Sequence, residues 1–243
     1  MKQILILVIF GAMAILRASA QNDTTGRPDV SRLFYFNFGI SLNYMNVDGL
    51  NVHLIPGDKD EHFETIPPSG KIGIGLNGRH SFFGLEYERG TGGSFSDPFQ
   101  NASLLTFSHI SYQYGHHFNE GKRVSYIGQI GLGFTNFTLS EYSSTNSISF
   151  DSLTKQTVAG KAVGSSIDLF SHFNFYLEPR IGIVFKGKSQ LFNYEESTII
   201  YASYRYYTNQ VNWFTTGGQF VTNMPLNIRG IPSVSVMLNF RKI

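Results

Sequence analysis

The alternation of apolar and polar residues is the strongest pattern in this chain. From 173 to 186 the odd positions are almost all apolar, whereas the even positions include Glu178, Arg180 and Lys186. Successive side chains of a β-strand point to opposite faces, so this segment predicts a strand with one apolar face and one polar face. The stretch from 33 to 47 alternates in the same way and predicts an opening strand of the same kind.

Further segments with a period of two predict strands at about 71–78, 82–89, 102–118, 124–139, 158–170 and 233–241. Short turns are predicted at 77–81, 119–123 and 171–174, and long loops at about 48–69, 91–101, 141–156 and 187–232. Short turns that alternate with long loops are typical of an up-and-down transmembrane β-barrel, whose long loops are extracellular. The predicted fold is therefore all-β, an antiparallel up-and-down transmembrane β-barrel with its apolar faces toward lipid.

The number of strands depends on the segment from 187 to 232. Two stretches in it are β-like, 198–207 and 211–222, although Arg205 and Asn212 dilute their alternation. If both stretches form a hairpin above the membrane, the barrel has eight strands. If both cross the membrane, residues 208–210 become a periplasmic turn and the barrel has ten. The weaker alternation favours eight strands, with ten as the alternative.

The first twenty residues have the pattern of a cleaved signal peptide. Lys2 precedes an apolar stretch from Ile4 to Leu16, and Ala18-Ser19-Ala20 resembles a cleavage site. Residues 21–32 then read as a polar periplasmic lead-in, and residues 33–243 as the outer-membrane barrel. The chain has no Cys, which excludes disulfides and a lipoprotein anchor.

Net charge and amino-acid composition limit the classes of molecule that the protein is expected to bind. The chain has 19 basic and 17 acidic residues, and loss of Lys2 and Arg17 with the signal peptide would leave 17 of each sign. A balanced charge does not favour nucleic acid as a partner. The 22 Phe, 13 Tyr and 25 Gly suit aromatic membrane interfaces and small side chains in a narrow lumen. No cofactor is expected.

Six charged side chains occupy positions predicted to face the lumen. An eight-stranded barrel is just wide enough for its side chains to fill it, so these charges are expected to pair and form a structural plug. A proton or ion path is the alternative. The six residues are Lys71, Glu86, Glu88, Asp168, Glu178 and Arg180.

His109 and Ser111 are the one pair that suggests catalysis. They share a strand face, as a base and a nucleophile require, and their spacing resembles the His-x-Ser pair of the lipid A deacylases. If Ile110 and Tyr112 face lipid, however, both residues face the lumen, so a packed lumen pair is expected. His116 and His117 are adjacent on a strand and point to opposite faces, which does not favour a shared metal. No catalytic, cofactor or metal residue is therefore predicted.

Three segments carry a family resemblance: Phe-Asn-Phe-Gly-Ile-Ser-Leu-Asn in the opening strand, Leu-Glu-Pro-Arg-Ile-Gly at 177–182, and Val-Met-Leu-Asn-Phe at the close. With them, residues 33–241 resemble the OmpA/OmpX-like outer-membrane β-barrel proteins, in particular the PorT-type barrel family of Bacteroidetes. The resemblance implies a role in an envelope or secretion assembly.

The expected function is that of a non-enzymatic outer-membrane barrel, which binds its partners through extracellular loops such as the Tyr-rich 187–232 segment. The expected partners are outer-membrane lipid and an envelope or secretion-complex protein, and the barrel is expected to be monomeric. The alternatives are a lipid-modifying enzyme that uses His109 and Ser111, and a small-solute channel.

Overall fold

A computed structural model of the chain describes residues 34–48, 65–78, 80–97, 101–119, 123–143, 166–191, 194–208, 211–215, 218, 220–221 and 228–242. Ten strands lie in these residues. They are β1 (Phe34–Asn43), β2 (Pro68–Asn77), β3 (Ser81–Asp97), β4 (Asn101–Phe118), β5 (Val124–Ser143), β6 (Ser166–Leu191), β7 (Tyr194–Tyr207), β8 (Trp213–Thr215), β9 (Phe220–Val221) and β10 (Gly230–Lys242).

Eight of these strands close into an antiparallel barrel. Its order is β5-β4-β3-β2-β1-β10-β7-β6, and β6 pairs back with β5 to complete the ring. The first and last strands of the barrel meet in continuous register, with Phe36 opposite Phe240 and Asn43 opposite Ser233. Closure leaves no free sheet edge at membrane depth, where every backbone group needs a partner within the protein. The short strands β8 and β9 form a hairpin outside this ring, attached to the upper part of β6.

The connections fall at two ends of the barrel. Those at one end are short, at 78–80, 119–123 and 192–193. At the other end three of the four are long: 44–67, 144–165 and 208–229. The short connections are assigned to the periplasm and the long ones to the cell exterior, as in other barrels of this type. Among the residues that the structure describes, no helix is long and apolar enough to span a bilayer.

The turn predicted at 171–174 is wrong. One continuous strand, the 26-residue β6, replaces the two strands predicted at 158–170 and 173–186. A β-bulge takes the place of the turn: the register with β5 shifts between Thr135 and Phe137, and Phe173 adopts a φ of 56°. The polar residues that suggested a turn hold this bulge, because the Asn174 amide donates to the Thr135 carbonyl at 3.1 Å and to Ser171 Oγ at 3.0 Å.

The prediction of an extracellular loop at 187–232 is also wrong, over residues 194–207. Residues 194–207 form β7, which lies between β6 and β10 in the barrel wall. The prediction of eight strands is confirmed, but the eighth wall strand is β7 and not a separate strand at 158–170. Only the second β-like stretch, around Trp213, lies in a hairpin outside the ring.

The loop predicted at 91–101 is too long. β3 continues to Asp97 and β4 starts at Asn101, so only residues 98–100 connect them. Gly, Ser and Pro suggested a loop there, but residues 91–97 pair with β4. The predicted signal peptide, the lead-in, most of the 48–69 loop and most of the 141–156 loop lie outside the described residues.

Inside the barrel, large rings lie over glycines of neighbouring strands. A Cβ at Gly90 would lie 2.2 Å from Cζ of Phe107, and a Cβ at Gly115 would lie 2.1 Å from Cζ of Phe82. Real Cβ atoms do not approach other atoms so closely, so these rings can pack flat only because the position beside them has no side chain.

Candidate functional site

The outer wall of the barrel is apolar. Each of its eight strands exposes large apolar side chains, among them Ile40, Ile72, Leu85, Ile110, Ile130, Ile181, Ile200 and Val236. A soluble protein rarely exposes an apolar surface of this extent. An apolar exterior around a polar interior is the arrangement of a transmembrane β-barrel. The protein is therefore an integral outer-membrane β-barrel.

The middle of the lumen holds a balanced set of charges. Three cations and three carboxylates lie there, all at most 7% exposed, and they alternate in space so that every ion contacts an opposite charge. Charges withdrawn from water are tolerated only when they are paired and hydrogen-bonded. The six residues are Lys71, Arg180, Arg205, Glu86, Glu88 and Glu178.

Arg180 joins two of the carboxylates. It donates to both oxygens of Glu86, from Nη1 at 2.8 Å and from Nη2 at 2.6 Å, and to Glu178 Oε2 at 2.7 Å. Two parallel bonds to one carboxylate fix the guanidinium plane as well as its charge. The remaining Glu178 oxygen accepts from Ser203 Oγ at 2.8 Å. Lys71 Nζ completes this side of the cluster, 3.4 Å from Glu88 Oε2.

Arg205 connects the cluster to the opposite wall, and the sequence patterns missed it. Its side chain is fully buried, pairs with Glu88, and lies with Nε 3.3 Å from Glu178 Oε2. Arg205 lies in the stretch 198–207, which the sequence pattern assigned to a surface hairpin because this charge weakens the alternation of apolar and polar residues. The signal that could have found it is the parity of Ser203, Arg205 and Tyr207, which share the inner face of β7.

His109 and Ser111 face the lumen, as predicted, and each is 2% exposed. Arg205 Nη1 donates to His109 Nε2 at 2.8 Å, so this nitrogen carries no proton and Nδ1 is the donor to Thr135 Oγ1. Ser111 Oγ accepts from the Gln113 amide. The two residues are therefore held by different partners, on the side of the wall that faces away from lipid.

Of the six charges predicted to face the lumen, Asp168 does not: the prediction for this residue is wrong. Lys71, Glu86, Glu88, Glu178 and Arg180 all lie inside the barrel. The bulge at 172–173 changes the parity of β6, so Ser171 faces inward above it whereas Asn174 faces inward below it. Asp168 consequently shares the outer face with Phe170. Within the described residues, no group of three acidic, His or Cys side chains could hold a metal ion.

Apolar layers lie above and below the charged layer. The periplasmic layer consists of Tyr35, Phe82, Ile127, Val184, Ile199, Tyr201 and Met237. The external layer, here called the cap, consists of Met45, Val47, Leu105, Phe107, Phe137, Leu139, Tyr176, Tyr207, Val211, Trp213, Ile228 and Ile231. Two cavities at the periplasmic end measure about 30 Å³ and 10 Å³. Over the described residues, buried side chains of the two apolar layers and of the charged layer between them therefore occupy the lumen at three successive heights.

Four strands, β3 to β6, continue beyond the membrane, and the polarity of the two faces of β4 and β5 reverses there. In the membrane β4 and β5 expose Ile110 and Phe134, which are cross-strand partners. The next outward pair is Ser108 and Asn136, and the next Thr106 and Thr138. Their inward neighbours change in the opposite sense, from His109 and Thr135 to Phe107 and Phe137 in the cap. At β4 and β5 the upper barrel therefore resembles a soluble β-domain, with a polar outside and an apolar inside.

Comparisons with known proteins give likenesses at the level of overall structure. No family model and no curated protein matches the chain. Among solved structures, Neisserial surface protein A has a TM-score of 0.44 at 11% identity, covering 86% of this chain and 96% of its own. Ail of Yersinia pestis, in complex with the heparin analogue sucrose octasulfate, has a TM-score of 0.44 at 14% identity. The match covers 86% of this chain and 97% of Ail. A major outer membrane protein of Thermus thermophilus has a TM-score of 0.45 at 8% identity, and the match covers 86% of this chain and 99% of that protein.

Proposed function

We propose that this protein is a non-enzymatic outer-membrane barrel that presents its projecting strands and external loops to a protein partner. In keeping with the resemblance of the sequence to PorT-type barrels of Bacteroidetes, the partner belongs to an envelope or secretion assembly. The barrel acts as a monomeric anchor, and the recognition surface is the part that stands above the membrane.

The length of the strands supports this proposal most directly. A transmembrane strand needs about 9–11 residues. β1 and β2 have 10 residues each, whereas β3, β4, β5 and β6 have 17, 18, 20 and 26. Most of the additional residues form a wall above the bilayer, with its own apolar cap inside and a polar outer face at Thr106 and Thr138, whereas the last residues of β6 extend at the periplasmic end. A chain that needed only to cross the membrane would have no use for this wall.

The filled lumen favours an anchor over a channel. Solute passage would need a continuous water-filled path, but the charged layer lies between two apolar layers that fill the barrel. Opening a path would also expose six mutually paired charges. We therefore expect the reconstituted protein to show no steady conductance in a planar bilayer. A steady conductance would support the channel alternative.

The position of His109 and Ser111 favours a non-enzymatic role. A lipid-modifying enzyme needs its nucleophile within reach of lipid, whereas Ser111 lies in the lumen beside Gln113 and faces Tyr176. Ser111→Ala is expected to leave the lipid composition of the outer membrane unchanged. An altered acyl-chain pattern in the variant would support the enzyme alternative.

Site-specific photo-crosslinking in living cells would test the proposed binding surface. A photoreactive amino acid at Thr106 would report on the outer face of the wall, and one at Ile110 would serve as the control, because Ile110 lies on the same face of β4 but at membrane depth. We expect a discrete protein adduct from Thr106 that is lost when Thr138→Arg is introduced on the neighbouring strand. Absence of any Thr106-specific adduct would contradict the proposal.

A further inference from the structure

One row of the projecting sheet changes from threonine to phenylalanine halfway across. Cross-strand pairing aligns Thr91, Thr106 and Thr138 on β3, β4 and β5. The same row continues through Phe170, Phe214 and Phe220 on β6, β8 and β9. All six positions lie on the outer face, since their neighbours Phe107, Phe137, Leu169 and Trp213 face the cap. The projecting sheet therefore has a polar half and an aromatic half.

The β-bulge in β6 connects the aromatic half to the membrane belt. It places His172 and Phe173 on the outside together, and Phe173 is 72% exposed. The backbone amide of Phe173 donates to Asn136 Oδ1 at 3.0 Å, which holds the residue in its left-handed conformation. A non-glycine residue in this conformation is unusual and costs free energy, and here the conformation places an exposed aromatic ring on the outer face beside the membrane belt.

Ring contacts continue along this face from the belt to the upper part of β6. Phe175 and Phe134 in the belt are 5.5 Å apart between centroids, and Phe134 lies 6.4 Å from Phe173. Phe173 contacts His172, which stacks on Phe170 at 5.8 Å. Beyond Phe170, the rings of Phe214 and Phe220 pack at 5.7 Å. We call the five residues Phe170, His172, Phe173, Phe214 and Phe220 the aromatic face.

We propose that the aromatic face contacts the outer leaflet of the outer membrane, so that the β8–β9 hairpin is a second membrane contact of the barrel. The lipid-facing surface is then taller on this side than on the β3–β5 side. On β3, β4 and β5 it ends at Tyr87, Ile110 and Phe134, which form a single row. On β6 it continues beyond Phe175 to Phe170, which lies opposite Thr138, four residues beyond Phe134 on β5 and so about 13 Å along the strand.

Lipid is the occupant that this geometry favours, because the aromatic face is continuous with a surface that lipid already covers. Phe214 and Phe220 are 37% and 57% exposed, and covering these rings would remove apolar area from water. A bilayer accommodates an uneven apolar surface by a tilt of the protein or by local thickening, at a modest cost in free energy. Aromatic rings are also the side chains that membrane interfaces favour. The polar half of the sheet then remains clear of the membrane.

The absence of Cys in the chain makes a direct test possible. Single-Cys variants Phe220→Cys and Thr106→Cys would each carry a nitroxide spin label and be folded into vesicles of phosphatidylethanolamine and phosphatidylglycerol in equal amounts. The two positions belong to the same cross-strand row. Accessibility to oxygen, which concentrates in lipid, would be compared with accessibility to a water-soluble nickel complex. Folding would be checked by migration of the unheated protein in gels, and Phe214→Cys would replace any Phe220 variant that fails to fold.

We expect the oxygen-to-nickel accessibility ratio to be several-fold higher at 220 than at 106, and to fall at 220 when Phe173→Ser interrupts the aromatic face. Equal ratios at 220 and 106 would overturn the inference and leave the aromatic face available to a protein. The test is independent of the proposed partner, because it uses purified protein and lipid alone, and the crosslinking experiment uses the polar half.

Discussion

The guanidinium of Arg205 lies 3.3 Å from the carboxylate of Glu178 and also pairs with Glu88, three residues contributed by three different strands. Arg205 can make these contacts only if β7 is a strand of the barrel wall, which the local sequence pattern did not predict. It also completes the charge balance of the lumen, since Lys71 and Arg180 alone would leave one of the three carboxylates unmatched.

Replacement of Arg205 by Met is expected to lower the free energy of unfolding by about 3–5 kcal/mol, because Glu88 and Glu178 would keep their buried charges without this partner. Urea titration of the folded protein in lipid vesicles would measure the change. The matched control is Lys186→Met. Lys186 pairs with Glu195 at 3.4 Å, but both side chains are partly exposed, so the change should stay below about 1 kcal/mol. Equal effects of the two substitutions would contradict the account of the lumen.

Gly90→Ala is expected to impair folding, because the new methyl group would overlap the ring of Phe107 and force it out of the cap. Overpacking of this kind costs about 1–3 kcal/mol. A second substitution, Phe107→Leu, should restore part of the loss. Gly70→Ala is the control, since a Cβ there meets no atom within 4 Å. The fraction of protein with the migration of the folded form in unheated gels would report both effects, and an equal loss in the control would count against this packing.

The path of β7 through the membrane can be tested with single Cys residues and a membrane-impermeant thiol reagent. Thr208→Cys lies at the external end of β7 and should react in intact cells, whereas Glu196→Cys lies near the periplasmic end and should react only after lysis. The reason is that β7 crosses the bilayer between these positions. If Glu196→Cys also reacted in intact cells, residues 194–207 would form an external hairpin and the strand order would be wrong.

Trp213→Ala is expected to loosen the β8–β9 hairpin. Its side chain is 1% exposed and packs in the cap, 6.2 Å from the ring of Phe137. Truncation of a large buried ring costs about 3–5 kcal/mol. Limited proteolysis of vesicle-bound protein should cut the variant between 208 and 229 faster than the wild type. Asn212→Ala, at the exposed residue just before Trp213, should change the cleavage rate little if the cap holds the hairpin.

The misassigned segments share a physical cause. Alternation assigns residues to two faces of a strand, but it does not identify the strand opposite or the medium on each side. At Asp168 the parity changed because two side-chain amides, Asn136 and Asn174, stabilise a bulge against another strand. At Arg89 and Thr91 the exposed residues of β3 are no longer apolar, because the strand has left the bilayer there, and the segment that follows resembled a loop in the sequence.

The sequence by itself determined which residues face lipid and which face the lumen over most of the barrel. It did so because period-two alternation is local and the two sides of a membrane barrel differ sharply in polarity. Lys71, Glu86, Glu88, Glu178 and Arg180 were placed inside on this ground alone, as were His109 and Ser111.

Only the tertiary structure decided that β7 completes the ring, that Arg205 is a lumen residue, and that the row from Thr91 to Phe220 joins a polar half to an aromatic half. Each of these depends on pairings between residues far apart in the chain. A local pattern contains no information about such pairings, and the free energy of pairing buried charges and packing the cap arises only when the strands meet.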